Sequence, residues 1–336
     1  NPAMVLMDAK TGQVIFTRDA NGPRKPASTI KVISAMSILE FLPPNKTFTT
    51  AVYKTDLKNT FQIVGEFDPS MTPSYELSKS DKFIWSTSLV NKIKANARSR
   101  SITIRYHGIT SRTQINMAND FRRAGYRVTW RPISQEESAN HLLNPILITE
   151  SPKLEKILRH TLLWSDNILA DRLARTAAKK MGFATDETGI QSAFESTLSS
   201  LEVPTTGLQV FDGNGLSHEN RVSPRTIATL LVKIKDNPIY APIVEGLPKA
   251  GISGTLKDRF KKDAPKAVGL VQAKTGWINT SVALAGYVDV GNQKYAFAVI
   301  ADHIKPYERY RALAREAIDK MLGRSEEHTS ELQSLR

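Results

Sequence analysis

Lys25-Pro26-Ala27-Ser28-Thr29-Ile30-Lys31-Val32-Ile33-Ser34-Ala35-Met36-Ser37-Ile38-Leu39-Glu40-Phe41-Leu42 is the stretch on which the fold turns. From Ser28 to Leu42 apolar side chains fall on nearly every side, so the segment reads as a helix buried all round rather than a surface helix with one apolar stripe. Pro43-Pro44 closes it, because proline has no N–H to donate and its ring clashes with the preceding turn. Ser28 opens the helix and Lys31 follows three positions on, on the same face. A serine hydroxyl becomes a nucleophile once a base takes its proton. Lys31 can be that base only when neutral, a state favoured by burial and by a second cation nearby. The pair alone is a weak signal: at ordinary composition Ser-x-x-Lys occurs about once in a chain of this length, and Ser28 serves equally well as a helix N-cap.

Working outward, residues 3–8 and 13–17 are short apolar runs around Ala9-Lys10-Thr11-Gly12, which predicts a β-hairpin with Gly in the turn. Residues 45–144 change texture to strand-like pieces (47–53, 101–106, 126–130) broken by polar and basic stretches, and read as an inserted region. Helical periodicity returns at 153–163 and 168–181, the second closed by Gly182. Residues 270–274, 281–290 and 295–302 read as three successive strands, the last two joined by Gly291-Asn292, before a helix from Tyr307 to Leu322 with its stop at Gly323. The order hairpin, buried helix, helices, strand meander and final helix predicts an α+β fold, an antiparallel sheet with helices packed on it.

Two further motifs stand downstream in fixed order, Ser165-Asp166-Asn167 at a junction of two helices and Lys274-Thr275-Gly276 at the end of a strand. Each has a plainer reading. Ser165 and Asp166 could cap the helix beginning near Ile168, Ser138-Ala139-Asn140 fits the bare Ser-x-Asn pattern, and Lys10-Thr11-Gly12 repeats the third motif inside the hairpin turn. Order and context set Ser28–Lys31, Ser165–Asn167 and Lys274–Gly276 apart from these chance matches, and the set resembles the signature of β-lactamases and penicillin-binding proteins.

The flanking sequence resembles the D-alanyl-D-alanine carboxypeptidase/endopeptidase family of penicillin-binding protein 4 type. The resemblance rests on Lys25–Lys31, Leu163-Trp164-Ser165-Asp166-Asn167-Ile168-Leu169-Ala170-Asp171, Asp212-Gly213-Asn214-Gly215-Leu216-Ser217, Arg221-Val222-Ser223-Pro224, Ala250-Gly251-Ile252-Ser253-Gly254-Thr255-Leu256, and Ala273–Gly276 with Leu284-Ala285-Gly286-Tyr287, and covers about residues 1–45 and 145–322. It implies a β-lactamase/DD-peptidase-like fold: a serine peptidase domain of residues 1–44 and 145–323, interrupted after its first catalytic helix by an insertion at 45–144. It also implies roles. Ser28 is acylated by the penultimate D-alanine carbonyl, Lys31 is its general base, Ser165 relays a proton to the leaving amine, and Asn167 holds Lys31 and the substrate amide. Lys274 supplies positive potential, Thr275 binds the terminal carboxylate at the Thr275-Gly276-Trp277 strand end, and the backbone N–H groups of Ser28 and Trp277 form the oxyanion hole. Trp277 departs from the family, whose members commonly carry a small hydroxyl residue there; its loss is expected to weaken carboxypeptidase specificity or favour an internal, crosslink-type peptide bond. Peptidoglycan stem peptides are the implied substrate and β-lactams the implied inhibitors.

Composition bounds these expectations. The chain has 336 residues and 46 − 33 = +13 formal charges, with 40% apolar and 24% charged residues and no cysteine. At roughly 150 residues per domain it holds about two domains. The proportions are globular, and no apolar run of membrane-spanning length occurs. Without cysteine there is no thiolate nucleophile, disulfide or sulfur-based metal site, and six histidines at 107, 141, 160, 218, 303 and 328 show no metal-ligating spacing. No cofactor and no metal are expected. The positive balance attracts polyanions in general, and its basic residues (Lys92-Ile93-Lys94, Arg98, Arg100, Arg122-Arg123, Lys261-Lys262) match no nucleic-acid motif, so nucleic acid is not an expected partner. Peripheral association with a membrane or wall is. A serine β-lactamase remains an alternative, although no Glu-x-x-x-Asn loop lies between 167 and 274; so does a non-catalytic peptidoglycan-binding protein, against which the full set of catalytic side chains argues. The expected location is extracytoplasmic, periplasmic or wall-associated, with a signal peptide absent from this chain. Residues 324–336 follow the Gly323 stop without apolar periodicity and are expected to be translated adapter or vector sequence; without them the balance is 44 − 30 = +14.

Overall fold

Ala3–Asp8 (β1) and Val14–Arg18 (β2) pair antiparallel around a turn fixed by Asp8, whose Oδ1 accepts from the backbone N–H groups of Lys10 (2.9 Å) and Thr11 (2.7 Å). Gly12 closes the turn at φ +74°, where a side chain is disfavoured. These elements belong to a computed structural model that describes residues 2–334, with side chains described for residues 2–323. It divides into two compact units, Asn1–Pro44 with Leu158–Arg336, and Asn45–Ile157.

In the first unit a 3-10 turn at Ala27–Ile30 runs into Lys31–Leu39 (α1), and all nine residues of α1 are buried. The expected single helix from Ser28 to Leu42 is therefore two pieces. Its first turn is wound tighter, and after Leu39 a short run of bonds, the last from Leu42 N–H to Ile38 C=O (3.0 Å), precedes the prolines.

The second unit holds Thr49–Thr55 (β3), Thr60–Gly65 (β4), Tyr75–Ser80 (α2), Ser86–Asn96 (α3), Ser101–His107 (β5), Ser111–Arg123 (α4), Arg127–Pro132 (β6) and Leu142–Glu150 (β7). Its sheet has the order β6-β5-β4-β3-β7. Strand β3 is antiparallel to β4 and β7, whereas β4, β5 and β6 run parallel, linked by crossovers through α3 and α4. Ile63, Ile102 and Ile104 of the sheet meet Leu89, Ile93, Met117 and Phe121 of those helices in a separate core. The strand-like pieces read from the sequence are present, but the helices between them were not anticipated. The unit also runs past residue 144, because β7 pairs along β3 from Leu142 to Glu150.

Beyond β7 follow Leu154–Leu163 (α5), Asn167–Lys180 (α6), Glu187–Ser200 (α7), Pro224–Ile234 (α8), Ala241–Gly246 (α9), Val271–Ile278 (β8), Ser281–Val290 (β9), Gln293–Ala301 (β10) and Glu308–Ser334 (α10). The sheet of the first unit, β2-β1-β10-β9-β8, is antiparallel throughout. Helix α1 packs against α6 and α7. Strand β9 is covered on both faces, which is why its sequence is almost continuously apolar. Val282, Leu284 and Val288 enter a core with Ile318 and Leu322 of α10. On the other face, Tyr287 donates to the C=O of Leu231 in α8 (2.8 Å).

Helix α10 overturns one expectation. Gly323 does not stop it, and the backbone stays helical to Ser334. A Cβ at Gly323 would come within 2.7 Å of the Ala264 Cβ, so this glycine serves close packing rather than a turn. The origin expected for 324–336 concerns side chains outside the described residues. For β9 the expected outcome of Tyr287→Phe is a loss of about 1 kcal/mol in unfolding free energy, read from urea denaturation.

Candidate active site

Ser28 sits in the 3-10 turn that feeds α1, and the Lys31 Nζ returns over that turn to within 2.6 Å of Ser28 Oγ. The same nitrogen donates to Asn167 Oδ1 (2.8 Å) and to the backbone carbonyl oxygen of Asn214 (2.5 Å). Lys31 is fully buried, and burial lowers its pKa to about 7 against the opposing pull of Asp212 and Asp166. Lys274, in β8, is equally buried and donates to the C=O of Thr275 (2.9 Å). Burial and then the charge of Lys31 hold it well below the ordinary lysine range.

These contacts carry a chemical consequence. Asn167 Oδ1 and Asn214 O can only accept. A neutral amine has two N–H groups, which these carbonyls use up, and one lone pair, which is left facing the Ser28 hydroxyl. The arrangement fits the unprotonated lysine that a general base requires.

Two backbone segments press on the Ser28 turn. Ala27 precedes Ser28 at φ +45°, a left-handed conformation that costs a non-glycine residue about 1 kcal/mol or more. Gly215 lies against it so closely that a Cβ there would be 2.0 Å from Ala27 O, and Gly215 is itself at φ +85°. From the other side, a Cβ on Gly276 would lie 2.9 Å from Pro26 O and 3.1 Å from the nitrogens of Ser28 and Thr29. The glycine of Lys274-Thr275-Gly276 is thus required because β8 lies directly on the Ser28 turn.

The second motif divides its labour. Asp166 is the N-cap of α6, accepting from the Leu169 N–H (2.9 Å), and Asn167 is its first residue. Ser165 is not a cap; it sits at φ +59° in the wall of a cavity of about 710 Å³. Ser28, Asn167, Thr275, Gly276 and Trp277 line the same cavity, whereas Lys31 and Lys274 do not. Trp277 is 58% exposed and stacks under the Arg311 guanidinium, 5.6 Å from its ring centroid.

Sequence reasoning missed part of the site. Asp212-Gly213-Asn214-Gly215-Leu216-Ser217 entered the sequence reading only as part of the resemblance, yet it supplies the Asn214 carbonyl to the lysine. Asp212 folds that loop by accepting from the N–H groups of Gly215 (2.6 Å) and Ser217 (2.7 Å) and from Asn220 Nδ2 (2.9 Å). An Asp followed by closely spaced Gly residues was the available signal, since such a carboxylate can gather the N–H groups of its own turn. Thr255, whose Oγ1 lies 2.7 Å from Thr275 Oγ1, and His218, Arg259 and Arg315 also line the wall and were given no role in the sequence reading. Among the described residues no three His, Cys, Asp or Glu side chains gather to hold a metal ion.

Gly276→Ala is expected to displace β8 from the Ser28 turn and lower the reactivity of the Ser28 hydroxyl toward a fluorophosphonate probe by about 10²-fold, with the fold retained by circular dichroism. An unchanged reactivity would show that the turn tolerates the shift.

Comparison with known proteins places this geometry. Carboxypeptidase DacB of Mycolicibacterium smegmatis is 33% identical over 181 residues, a match covering 52% of this chain and 39% of that relative. The chain therefore spans well under half the length of that curated relative. Penicillin binding protein 4 of Haemophilus influenzae shares the fold, with a TM-score of 0.74 at 17% identity over 96% of this chain and 95% of that one. The same protein complexed with a β-lactam aligns at a TM-score of 0.73 and 17% identity over 99% of this chain and 96% of that one. At the family level the match runs over residues 1–103 and 86–324, and the chain belongs to the D-Ala-D-Ala carboxypeptidase 3 (S13) family.

Proposed function

We propose that this chain is a serine D-alanyl-D-alanine carboxypeptidase/endopeptidase that cleaves peptidoglycan stem peptides through an acyl-enzyme at Ser28 and is acylated there by β-lactams. The observation that carries the reading is the buried Lys31 amine, 2.6 Å from Ser28 Oγ with its remaining partners both carbonyl oxygens. Family membership and the β-lactam complex of a protein of the same fold support it.

In the proposed reaction, neutral Lys31 takes the Ser28 proton as Oγ bonds to the penultimate D-alanine carbonyl carbon. The resulting oxyanion is held by the N–H groups of Ser28 and Trp277. Collapse breaks the C–N bond, the proton passes through Ser165 to the leaving amine, and water then hydrolyses the ester. Asn167 orients Lys31 and the substrate amide. Lys274 opposes protonation of Lys31, and Thr275 binds the carboxylate of the leaving D-alanine. The work is carried out by the first unit, residues 1–44 with those from Leu158 onward, outside the cytoplasmic membrane, in the periplasm or at the wall.

The pH dependence tests the base. Below about pH 7 Lys31 is protonated and its lone pair is occupied, so acylation by penicillin should fall about tenfold per pH unit; it should rise through pH 7 and level off above it. Mass spectrometry should find a penicilloyl adduct lasting minutes in the wild type and none in Ser28→Ala. A flat profile, or turnover too rapid to trap an adduct, would sink the reading.

Trp277 bears on specificity. Trp277→Ser restores a hydroxyl beside Thr275, and D-alanine release from a pentapeptide should increase about tenfold, the worth of one hydrogen bond to a charged group. Equal rates would remove Trp277 from the account of specificity.

A further inference from the structure

Residues 83–135 hold ten Lys or Arg and a single acid, Asp120. The second unit's fold sorts seven of these cations to one end. Because α3 and α4 are crossovers between parallel strands, both helices finish where β5 and β6 begin. Lys92 and Lys94 lie in the C-terminal half of α3, and Arg98 and Arg100 lead into β5. Arg122 and Arg123 end α4, and Arg127 opens β6. All except half-buried Lys94 are exposed. The strand starts touch: the Arg127 N–H donates to the Arg100 C=O (2.7 Å). Asp120 lies 3.8 Å from Arg123 and is the one acidic partner of these seven among the described residues.

Compensation of helix dipoles accounts for cations at helix C-termini such as Lys94, Arg122 and Arg123. It does not account for Arg98, Arg100 and Arg127, which lie outside the helices. Gathering like charges works against the compact state, so an anionic partner is the natural complement of this end. The nearby rings offer no platform for bases: Phe121 and Tyr126 pack on each other at 5.9 Å, and Arg100 lies over Tyr126 at 6.0 Å. The cations form an end surface built from helix ends and strand starts. No helix among the described residues is long and apolar enough to cross a membrane.

We propose that this end of the unit docks on an anionic lipid surface, with the phosphate headgroups facing Lys92, Arg98, Arg100, Arg122, Arg123 and Arg127. The proposal is independent of any chemistry at Ser28.

Co-sedimentation with vesicles tests it. The chain should bind vesicles of phosphatidylglycerol mixed with phosphatidylcholine and not phosphatidylcholine alone, with binding falling steeply from about 0.05 to 0.3 M salt. Each cation near an anionic surface contributes about fivefold to partitioning, so Arg122→Gln/Arg123→Gln/Arg127→Gln should lose about a hundredfold. Lys10→Gln/Lys179→Gln/Lys180→Gln removes the same charge from exposed positions of the other unit and should bind nearly as the wild type does. An unchanged thermal midpoint would show that both triple variants are folded. Equal losses in the two variants, equal binding to uncharged vesicles, or tighter binding to duplex DNA than to vesicles at equal phosphate would each overturn the proposal.

Discussion

The rest of the first unit is arranged around an amine that has been taken out of water without being given a carboxylate. Lys31 ends among Ser28 Oγ, Asn167 Oδ1 and the Asn214 carbonyl, three neutral oxygens. Had one of them been a carboxylate, an ion pair would have fixed the proton on the lysine and removed the base. The two acids in electrical reach, Asp212 and Asp166, are spent on backbone N–H groups, one organising its loop and the other capping α6. Their negative charge moderates the effect of burial, and the balance leaves the amine titrating near neutrality.

Such an amine is useful only if the hydroxyl it faces cannot drift. Glycine, which has no side chain, provides the restraint at two points. Gly215 and Gly276 press the backbone of the Asp212–Ser217 loop and of β8 against either side of the Ala27–Ser28 turn, and neither approach survives a Cβ. Gly213 makes a third close contact, where a Cβ would fall 2.3 Å from that of Ala174 in α6 and 3.1 Å from Ser34 Oγ in α1. Its carbonyl accepts from that same Ser34 hydroxyl (2.6 Å). The loop carrying the Asn214 carbonyl is thereby fastened to α1, which carries Lys31, and to α6, which carries Asn167. The left-handed Ala27 is the strained element that this enclosure sustains.

What could be read from the sequence follows from where each constraint resides. Constraints that act through side groups were visible: three-residue spacing placed Lys31 over Ser28, and the all-apolar run around it announced a buried helix. The meander of β8, β9 and β10 was visible for the same reason, since burial on both faces forces continuous apolar sequence. Constraints that act through the backbone were not. The Asn214 carbonyl belongs to the peptide group and is the same for any residue, and Gly276 reads as part of a motif until the proximity of Pro26 O explains it. In the second unit the helices escaped notice because their buried faces are thin: α4 buries only Thr113, Met117 and Phe121, every fourth residue in a polar segment. Gly323 misled in the opposite way. A glycine near an expected helix end resembles a stop, whereas here its lack of a Cβ admits Ala264.

The charges of the cavity wall follow the logic of the buried amine. Arg259 and Arg315 line the cavity, and each is tied to an acid that does not: Arg259 to Asp319, whose Oδ2 lies 3.2 Å from its Nε, and Arg315 to Glu308. Burial pushes the Asp319 carboxyl up, and the guanidinium opposes that shift, as an ion pair does when one partner is withdrawn from solvent. The guanidinium fork also fixes Arg259 in place, since two parallel contacts leave it little rotation. The wall therefore presents cationic side chains and hydroxyls, the paired Thr255 and Thr275 among them, to whatever enters. The compensating carboxylates stay outside the cavity lining. Among the described residues the lining holds no carboxylate, so an anionic group meets none there and none reaches Lys31 from the lining. Keeping acids out of the lining thus leaves the cavity open to an anionic group and leaves the Lys31 amine without a carboxylate from that side, through a single physical choice.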